Sequence, residues 1–325
     1  MTDMSISPGL ITTRADMKRV FGGGPQGGIV PSATTSNVLL YSDPQEGEQS
    51  GYFDGWLAQE DEQGAIFEYT GHGQANQTFE GRAGNSNRAV LHHIDDGRAL
   101  RVFKAVGTVP GSGTKRQRYI GEFVLDLEEP YVIRQAPNKE NMLRRVIVFR
   151  MRPVGVVPRN KLDDIPPAEK TEAIAIPADI TTSVMVEPET SKKTLSSRSA
   201  VPKTTSERRE AKLSADFQAF LETQHHQVKR FQIRVKGLTS VLLTDLYDAT
   251  AHVLYEVKGN SSRQSVRMAI GQLLDYRRHV TPACPAVAIL LPEKPKEDLR
   301  DLLELEKIAL VYRDGDNFVG YPVQS

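Results

Sequence analysis

The chain of 325 residues contains a single cysteine, Cys284, and carries no net charge, because 41 Lys and Arg residues balance 41 Asp and Glu residues. One thiol excludes a disulfide framework and any zinc site built from several cysteines. No apolar run approaches the roughly 20 residues that a membrane helix needs, and the N-terminus lacks a basic-then-apolar signal pattern. We therefore expect a cytoplasmic protein with no membrane partner.

The length suggests about two domains, and the composition divides the chain into three zones. Residues 1–154 contain short alternating runs between turn signals, which is typical of an all-β domain. Residues 155–203 are rich in Pro, Ser and Thr and have no aromatic side chain, which predicts a linker with one short strand near residues 173–176. Residues 204–325 alternate between helical and strand patterns, so the predicted fold class is α+β multidomain.

The most informative pattern of the third zone is a predicted strand that contains Glu256 and Lys258. Because side chains alternate along a strand, these two share one face, and Asp245 at the end of the preceding strand can join them. Two carboxylates and an ammonium group make a poor core. They suit a hard divalent cation such as Mg²⁺ and an attacking water molecule.

This spacing resembles the PD-(D/E)XK nuclease superfamily, whose signature is Asp, a variable gap and then Glu-x-Lys on a strand, followed by a helix. That helix carries Gln272 and Tyr276, similar to the Gln-x-x-x-Tyr element of some branches. The position before Asp245 is Thr244, where the signature has Pro. The resemblance implies an α/β PD-(D/E)XK nuclease core over residues 204–325.

The resemblance also implies roles for individual residues of this core. Asp245, Glu256 and the carbonyl group of Val257 would hold Mg²⁺, and Lys258 would assist the attacking water. Gln272 is a further catalytic candidate. Glu210 on the first helix is the candidate for an extra acidic residue, with Glu207 as its competitor. Asp248 replaces Asp245 if the register of the hairpin differs.

Four motifs occur in order in the first zone. They are Tyr-Thr-Gly-His-Gly from Tyr69, Asn-Ser-Asn-Arg-Ala from Asn85, Gly-Arg-Ala-Leu-Arg-Val from Gly97, and Tyr-Ile-Gly from Tyr119. This order resembles the SRA (SET- and RING-associated) domain, a β-barrel that flips a modified cytosine out of duplex DNA. The last motif has Ile120 where Asp is usual. The resemblance implies an SRA-like β-barrel over residues 1–154.

The resemblance implies a pocket for the flipped base. Extrusion of a base costs a few kcal/mol, and stacking on aromatic side chains returns about 1–3 kcal/mol per base. Tyr69 matches one wall, the backbone of Thr70 and Gly71 would line the pocket, and Asp54 could accept a hydrogen bond from the cytosine amino group. The opposing wall stays open between two residues, Tyr52 and Trp56.

DNA contacts are expected from basic and polar residues of the same domain: Lys115, Arg116, Arg118, Asn87 and Arg88. Together, the two resemblances imply a prokaryotic modification-dependent, type IV-like restriction endonuclease of antiphage defence, which requires Mg²⁺ and reads 5-methylcytosine or 5-hydroxymethylcytosine. Cutting both strands needs two active sites, so we expect a homodimer or dimerisation on DNA. The alternatives are a restriction endonuclease that reads unmodified sequence and a non-catalytic reader with a degenerate nuclease fold.

Overall fold

The computed structural model describes residues 6–50, 52–178 and 205–323, apart from the side chains of residues 205–207. The chain divides into two compact units. The described part of the first unit ends at Pro166, and that of the second comprises residues 167–178 and 205–323. Within these ranges, no helix has the length and apolar character needed to cross a membrane.

The described part of the first unit contains strands β1 to β9 and helices α1 to α3. The strands are β1 (Ile11–Thr13), β2 (Ile29–Pro31), β3 (Asn37–Ser42), β4 (Gly55–Trp56), β5 (Phe67–Thr70), β6 (Ala99–Thr108), β7 (Lys115–Leu125), β8 (Tyr131–Pro137) and β9 (Leu143–Pro153). The helices are α1 (Arg14–Phe21), α2 (Pro44–Gln49) and α3 (Asn85–Leu91).

All nine strands belong to one sheet. Its main path is β2-β3-β6-β7-β9-β5-β4, with β1 paired to β7 and β8 paired to β9. The predicted closed barrel is wrong, because among the described strands β2 and β4 end the path without pairing to each other. These end strands have only three and two residues, so neither offers a ladder long enough to close the sheet.

An aromatic cluster fills the core of this unit. Trp56 is 1% exposed, and its ring centroid lies 5.2 Å from that of Phe67 and 5.6 Å from that of Phe123. Its indole nitrogen is buried and has no hydrogen-bond partner among the described residues. The structure therefore places Trp56 in the core, where it does not serve as an open wall for a flipped base.

Trp56→Ala should destabilise the first unit by about 3–5 kcal/mol, the usual cost of removing a large buried aromatic side chain. Trp56→Phe should cost clearly less, because the buried nitrogen has no hydrogen bond to lose. Urea denaturation followed by circular dichroism measures both variants. Modified-DNA binding by folded Trp56→Phe should equal that of the wild type; a selective loss of binding would return Trp56 to the pocket.

The described part of the second unit contains strands β10 to β17 and helices α4 to α6. The strands are β10 (Glu172–Pro177), β11 (Val228–Arg234), β12 (Val241–Leu243), β13 (Leu246–Asp248), β14 (Val253–Val257), β15 (Ala286–Leu291), β16 (Ala309–Asp314) and β17 (Asn317–Val319). The helices are α4 (Thr205–Thr223), α5 (Arg263–Tyr276) and α6 (Glu297–Leu305).

These strands form one mixed sheet with helices on both faces. Its path is β10-β11-β13-β14-β15-β16-β17, and β12 pairs with β11. The central pairs β14–β15 and β15–β16 are parallel. Leu254 of β14 packs with α5 and α6, whereas the next residue, Tyr255, packs with α4. The mixed helix and strand composition predicted for this zone is confirmed.

Part of the segment predicted as a linker is folded. Strand β10 forms where the sequence predicts a short strand, and it pairs antiparallel with β11 over its whole length. A short 3-10 turn at Lys161–Asp163 also lies in this segment. Residues 179–204 lie outside the described residues. The domain boundaries of the sequence analysis stay a prediction.

Candidate functional site

The end of β14 carries the first candidate site. Glu256 and Lys258 lie on one side of the strand, and the Lys258 Nζ atom donates a hydrogen bond of 2.6 Å to Glu256 Oε1. Both residues are buried, at 2% and 7% exposure. The intervening Val257 side chain points into the opposite core with α4. The predicted alternation along this strand is therefore present.

Asp245 occupies the break between β12 and β13. Its Oδ2 atom accepts a hydrogen bond of 2.8 Å from the backbone nitrogen of Val257. This bond brings the Asp245 carboxylate alongside β14, next to Glu256. The Asp245 side chain is 23% exposed, so it stays accessible from solvent.

The alternative residue Asp248 has a different role. It is fully buried, and its Oδ1 atom accepts hydrogen bonds from the backbone nitrogens of Thr250 and Ala251 at 2.9 and 3.0 Å. Its Oδ2 atom lies 2.5 Å from Nδ1 of His226. Through these contacts Asp248 holds the β13–β14 turn. The carboxylate that joins Glu256 and Lys258 is therefore Asp245 and not Asp248.

Glu210 of α4 reaches the same end of β14. Its Oε2 atom accepts a hydrogen bond of 3.2 Å from the backbone nitrogen of Gly259, the residue after Lys258. Its negative charge also contributes to raising the pKa of Glu256. The side chain of the competitor, Glu207, lies outside the described residues.

Helix α5 supplies the last two predicted residues. Burial raises the pKa of Tyr276, the Gln272 side chain hydrogen-bonds to it, and the negative charges of Glu256 and Asp245 raise the pKa further. Both residues therefore lie near the acidic cluster. The Gln272 Oε1 atom is buried, and no donor among the described residues reaches it. An unused acceptor beside charged groups is available to a water molecule or a ligand.

The cluster has the electrostatics of a cation site. Burial raises the pKa of Glu256 well above its usual range, and the charge of Asp245 raises it further against the opposing effect of Lys258. Burial lowers the pKa of Lys258, but the surrounding carboxylates outweigh this effect and raise it. A bound cation would stabilise both carboxylates in their charged form.

The donor set fits Mg²⁺ in its chemistry. Asp245 and Glu256 provide carboxylate oxygens, and Mg²⁺ takes one or two carboxylates and fills the remaining positions with water and phosphate oxygens. Among the described residues, no group of three or more His, Cys, Asp or Glu side chains is arranged to hold a metal ion. The predicted ligands are two carboxylates and one backbone carbonyl oxygen, so the predicted site does not require three such side chains.

A cavity of about 180 Å³ in the first unit is the second candidate site. Two of the predicted pocket residues, Tyr52 and Asp54, line it, together with Ser42, Lys104 and Leu162. Helix α2 sets the position of Tyr52, whose nitrogen donates to the Gly47 oxygen at 3.1 Å. A Cβ atom at position 47 would lie only 2.8 Å from the backbone carbonyl oxygen of Tyr52, so the close approach of the two backbone segments requires glycine here.

Asp54 is recessed at the wall of this cavity. Its Oδ1 atom accepts a hydrogen bond of 2.7 Å from the Thr70 nitrogen. Burial raises the pKa of Asp54, and hydrogen bonds from Thr70 and Ser42 and the charge of Lys104 oppose the shift. Burial also raises the pKa of Tyr52 to about 12, so its hydroxyl group stays protonated at neutral pH.

Three other predicted pocket residues, Tyr69, Thr70 and Gly71, do not line the cavity. Tyr69 is 3% exposed, and its hydroxyl group donates to the carbonyl oxygens of Gly28 and Tyr41 at 3.0 and 3.2 Å. Of the predicted aromatic pocket residues, Tyr52 is the one that lines this cavity, and Phe53 lies next to it in the lining.

Most of the predicted DNA contacts serve the fold. Asn87 is fully buried, and its side chain holds the backbone of His72 and Thr78. Arg88 donates to the carbonyl groups of Phe79 and Gly81. Both residues therefore brace the 72–81 loop.

The Lys115–Arg118 run is divided in its exposure. Arg118 is 9% exposed and forms an ion pair with the buried Asp163, which also lies 3.6 Å from Lys104. Lys115 is exposed and pairs with Asp43. Arg116 is exposed, so it is the best placed of the five to meet a phosphate group. The first two residues of β7 are thus exposed, and burial begins at Gln117.

Two basic residues outside the predicted set also line or border these sites. Lys104 lines the cavity, and Arg230 lies beside Asp245, with its Nη2 atom 3.8 Å from Asp245 Oδ1. Arg230 belongs to a short basic run with Lys229, which from sequence alone resembles a solvated surface. That basic run is its only signal in the sequence.

Comparison with known proteins gives a match that covers the first unit from residue 9 and continues into strand β10. A family model described as "ScoMcrA-like, SRA domain" matches residues 9–175. The search of curated proteins finds no match.

Solved structures align with about half of the chain. The sulfur binding domain and SRA domain of ScoMcrA, complexed with phosphorothioated DNA, shares 21% identity over 46% of this chain and 40% of that chain, with a TM-score of 0.34. The DNA recognition domain of the cytosine modification-dependent restriction endonuclease LpnPI shares 12% sequence identity with this chain. The alignment covers 46% of this chain and 74% of that chain, and the TM-score is also 0.34. The chain therefore spans two fifths of the ScoMcrA structure that it matches.

Proposed function

The chain belongs to the ScoMcrA-like SRA domain family, and from this premise we propose that it is a modification-dependent restriction endonuclease. The first unit reads a modified cytosine in duplex DNA. The second unit hydrolyses a phosphodiester bond nearby with Mg²⁺. ScoMcrA is matched in a complex with phosphorothioated DNA, and LpnPI is a cytosine modification-dependent restriction endonuclease, so modified DNA is the substrate class to test first.

One observation carries the hydrolytic part of the proposal: Asp245, Glu256 and Lys258 converge at the end of β14 in a partly closed site. Burying a carboxylate is costly unless it is paired, and a second carboxylate beside the first increases that cost. A fold that needed only an ion pair would not require Asp245. The arrangement is explained if the two carboxylates serve a cation that binds with the substrate.

The residues of this cluster have separate roles in the proposed reaction. Asp245, Glu256 and the Val257 carbonyl group would hold Mg²⁺, which neutralises phosphate charge and activates water when bound. Lys258 stays protonated because its pKa is raised, so it orients water and phosphate oxygens by donating hydrogen bonds. The free Gln272 oxygen accepts a hydrogen bond from the attacking water.

Glu210 has a positioning role. By accepting the Gly259 hydrogen bond, it fixes the backbone directly after Lys258 and thereby the direction of the ammonium group. Its charge adds to the acidic field that draws in a cation.

The cavity of the first unit is the proposed base pocket. A base inside the helical stack presents only its edges, so a reader that inspects the whole base must extrude it. Tyr52 provides an aromatic face for stacking, and Asp54 provides an oxygen that can accept a hydrogen bond from the cytosine amino group. Lys104 lines the same cavity, and its charge opposes the rise in the pKa of Asp54.

The test is digestion of matched duplexes that contain cytosine, 5-methylcytosine or 5-hydroxymethylcytosine at one position, with Mg²⁺ or with EDTA. We expect cleavage only of a modified duplex and only with Mg²⁺. Equal cleavage of all duplexes would instead favour an enzyme that reads unmodified sequence. Binding without cleavage would leave a non-catalytic reader.

Arg116→Gln and Arg118→Gln should separate DNA contact from folding. Loss of one phosphate contact at Arg116 should weaken binding to all duplexes and lower the slope of log K against log salt by about 1. Arg118→Gln removes a cation that neutralises the buried charge of Asp163, so it should lower the free energy of unfolding by about 3–5 kcal/mol. Salt-dependent binding and thermal unfolding measure the pair. An unchanged slope in folded Arg116→Gln contradicts the phosphate contact.

Cleavage of both strands also requires two hydrolytic sites, and we propose that the chain acts as a homodimer or dimerises on DNA. Sedimentation of the full chain with and without a modified duplex should reveal two copies in at least one condition. Monomers in both conditions, together with double-strand cleavage, would remove this part of the proposal.

A further inference from the structure

Arg230 is a largely buried cation next to the acidic cluster. It lies on β11, its side chain is only 12% exposed, and its Nε atom donates a hydrogen bond of 2.9 Å to the Thr244 carbonyl oxygen. Its Nη2 atom is 3.8 Å from Oδ1 of Asp245. One guanidinium group therefore contacts the backbone directly before Asp245 and the Asp245 carboxylate itself.

Strand β11 holds the Thr244 backbone from several sides. The Thr244 nitrogen donates to the Phe231 oxygen at 3.0 Å, and the Phe231 nitrogen donates to the Thr244 hydroxyl group at 2.9 Å. With the Arg230 bond, every polar group of Thr244 has a partner on two consecutive residues of β11. The break between β12 and β13, where Asp245 projects, is thus a fixed feature of the fold.

The two oxygens of Asp245 are held differently. Oδ2 is engaged by the Val257 nitrogen at 2.8 Å. Oδ1 is attracted by Arg230 but lies beyond hydrogen-bond distance, so its lone pairs stay available to a cation. A guanidinium group at this distance orients the carboxylate without occupying it.

Arg230 also balances charge in the cluster. A buried guanidinium group is costly unless carboxylates compensate it, and Asp245 and Glu256 are the two acidic groups whose charges act on Arg230. Lys258 provides the second cation. The carboxylates therefore stay in place before a divalent cation arrives.

We propose that Arg230 is a positioning residue of the hydrolytic site: it holds Thr244 and orients Asp245 so that Oδ1 points to the cation that Asp245 shares with Glu256. This inference rests on the proposed function of the cluster. It assigns to β11 a part in the site that the Asp, Glu-x-Lys and Gln-x-x-x-Tyr pattern does not contain.

Whether cation affinity rises or falls when Arg230 is replaced distinguishes a positioning role from a purely electrostatic one. Removing a positive group beside a cation site should strengthen cation binding if Arg230 acts only through its charge. If Arg230 orients Asp245, its loss should weaken cation binding, despite the gain in negative charge. Replacement of residues that orient metal ligands commonly costs 10–100-fold in metal affinity or activity.

The experiment is titration of the full chain with Mn²⁺, followed by electron paramagnetic resonance, for the wild type, Arg230→Gln and Arg230→Lys. We expect both variants to bind Mn²⁺ roughly 10-fold more weakly or worse and to cleave modified duplex roughly 10–100-fold more slowly. Lysine keeps the charge, but a single ammonium group cannot contact Thr244 and Asp245 together as the planar guanidinium group does. Arg230→Lys should therefore not rescue Mn²⁺ binding. Thermal unfolding identifies folded variants.

Arg234→Gln, four residues along the same strand, is the matched control and should bind Mn²⁺ like the wild type. Mn²⁺ binding by folded Arg230→Lys or Arg230→Gln that equals or exceeds that of the wild type overturns the proposal. If Arg230→Gln does not fold, Arg230→Lys decides alone. Failure of the wild type to bind Mn²⁺ or to cleave DNA would instead contradict the proposed function.

Discussion

Asp245→Asn should abolish DNA cleavage by the full chain, with a loss of about 1,000-fold or more, while modified-DNA binding persists. The substitution removes one of two carboxylates that serve the cation, but an amide oxygen can still accept the Val257 hydrogen bond. The side chain is 23% exposed, so the change should leave the fold intact. Single-turnover cleavage with Mg²⁺ and mobility-shift binding with EDTA measure the two activities.

Asp248→Asn is the matched control for this prediction. Asp248 is fully buried and holds a turn through two backbone hydrogen bonds, so its replacement should reduce stability by roughly 1–3 kcal/mol. The folded protein should still cleave. If Asp245→Asn cleaves at the wild-type rate, or if folded Asp248→Asn is inactive while Asp245→Asn is active, the assignment of Asp245 is wrong.

Tyr52→Ala should remove discrimination between modified and unmodified duplexes. Stacking of one base on an aromatic side chain contributes about 1–3 kcal/mol, so affinity for the modified duplex should fall roughly 5–150-fold. Affinity for the unmodified duplex depends on phosphate contacts and should change little. Competition binding with the two duplexes, which differ at one cytosine, measures the ratio directly.

Tyr69→Phe is the control in the same unit. It keeps the aromatic ring and removes a hydroxyl group that donates to the Gly28 and Tyr41 carbonyl oxygens, so it should cost about 1 kcal/mol of stability and little discrimination. If Tyr52→Ala keeps full discrimination while Tyr69→Ala or Tyr69→Phe loses it in the folded state, the base pocket lies at Tyr69 and not in the cavity described above.

In the second unit, the relative positions of the candidate residues follow from periodic signals in the sequence. The alternation of β14 correctly separates Glu256 and Lys258 from Val257, and the four-residue spacing of Gln272 and Tyr276 correctly places them together on α5. Both inferences need only the period of a strand or a helix. Neither depends on which distant segments meet.

Burial was harder to predict, because it depends on contacts between distant segments. Arg118 and Arg116 look alike in the sequence, yet one is buried against Asp163 and the other is exposed. Trp56 resembles a pocket residue by position, but the packing of β5 and β7 encloses it. The contact of Arg230 with the acidic cluster is not predictable from the sequence for the same reason, because its partner Thr244 is 14 residues away.

Closure of the first sheet could not be read from strand patterns. The alternating runs predict strands, but closure depends on whether the first and last strands can pair, and short β2 and β4 do not. By contrast, the short apolar run at residues 173–176 correctly predicts β10 inside a polar, aromatic-free segment, and this strand pairs with β11 along its whole length.

The most direct measurement of whether one chain both reads and cuts starts from a preformed complex. A labelled duplex with one modified cytosine is bound by the full chain in EDTA, an excess of unlabelled, unmodified duplex is added, and Mg²⁺ in excess over EDTA then starts the reaction. We predict cleavage of the labelled duplex at a defined distance from the modified base, and none in Asp245→Asn. A labelled duplex that stays bound and intact with the wild-type chain would contradict a hydrolytic second unit.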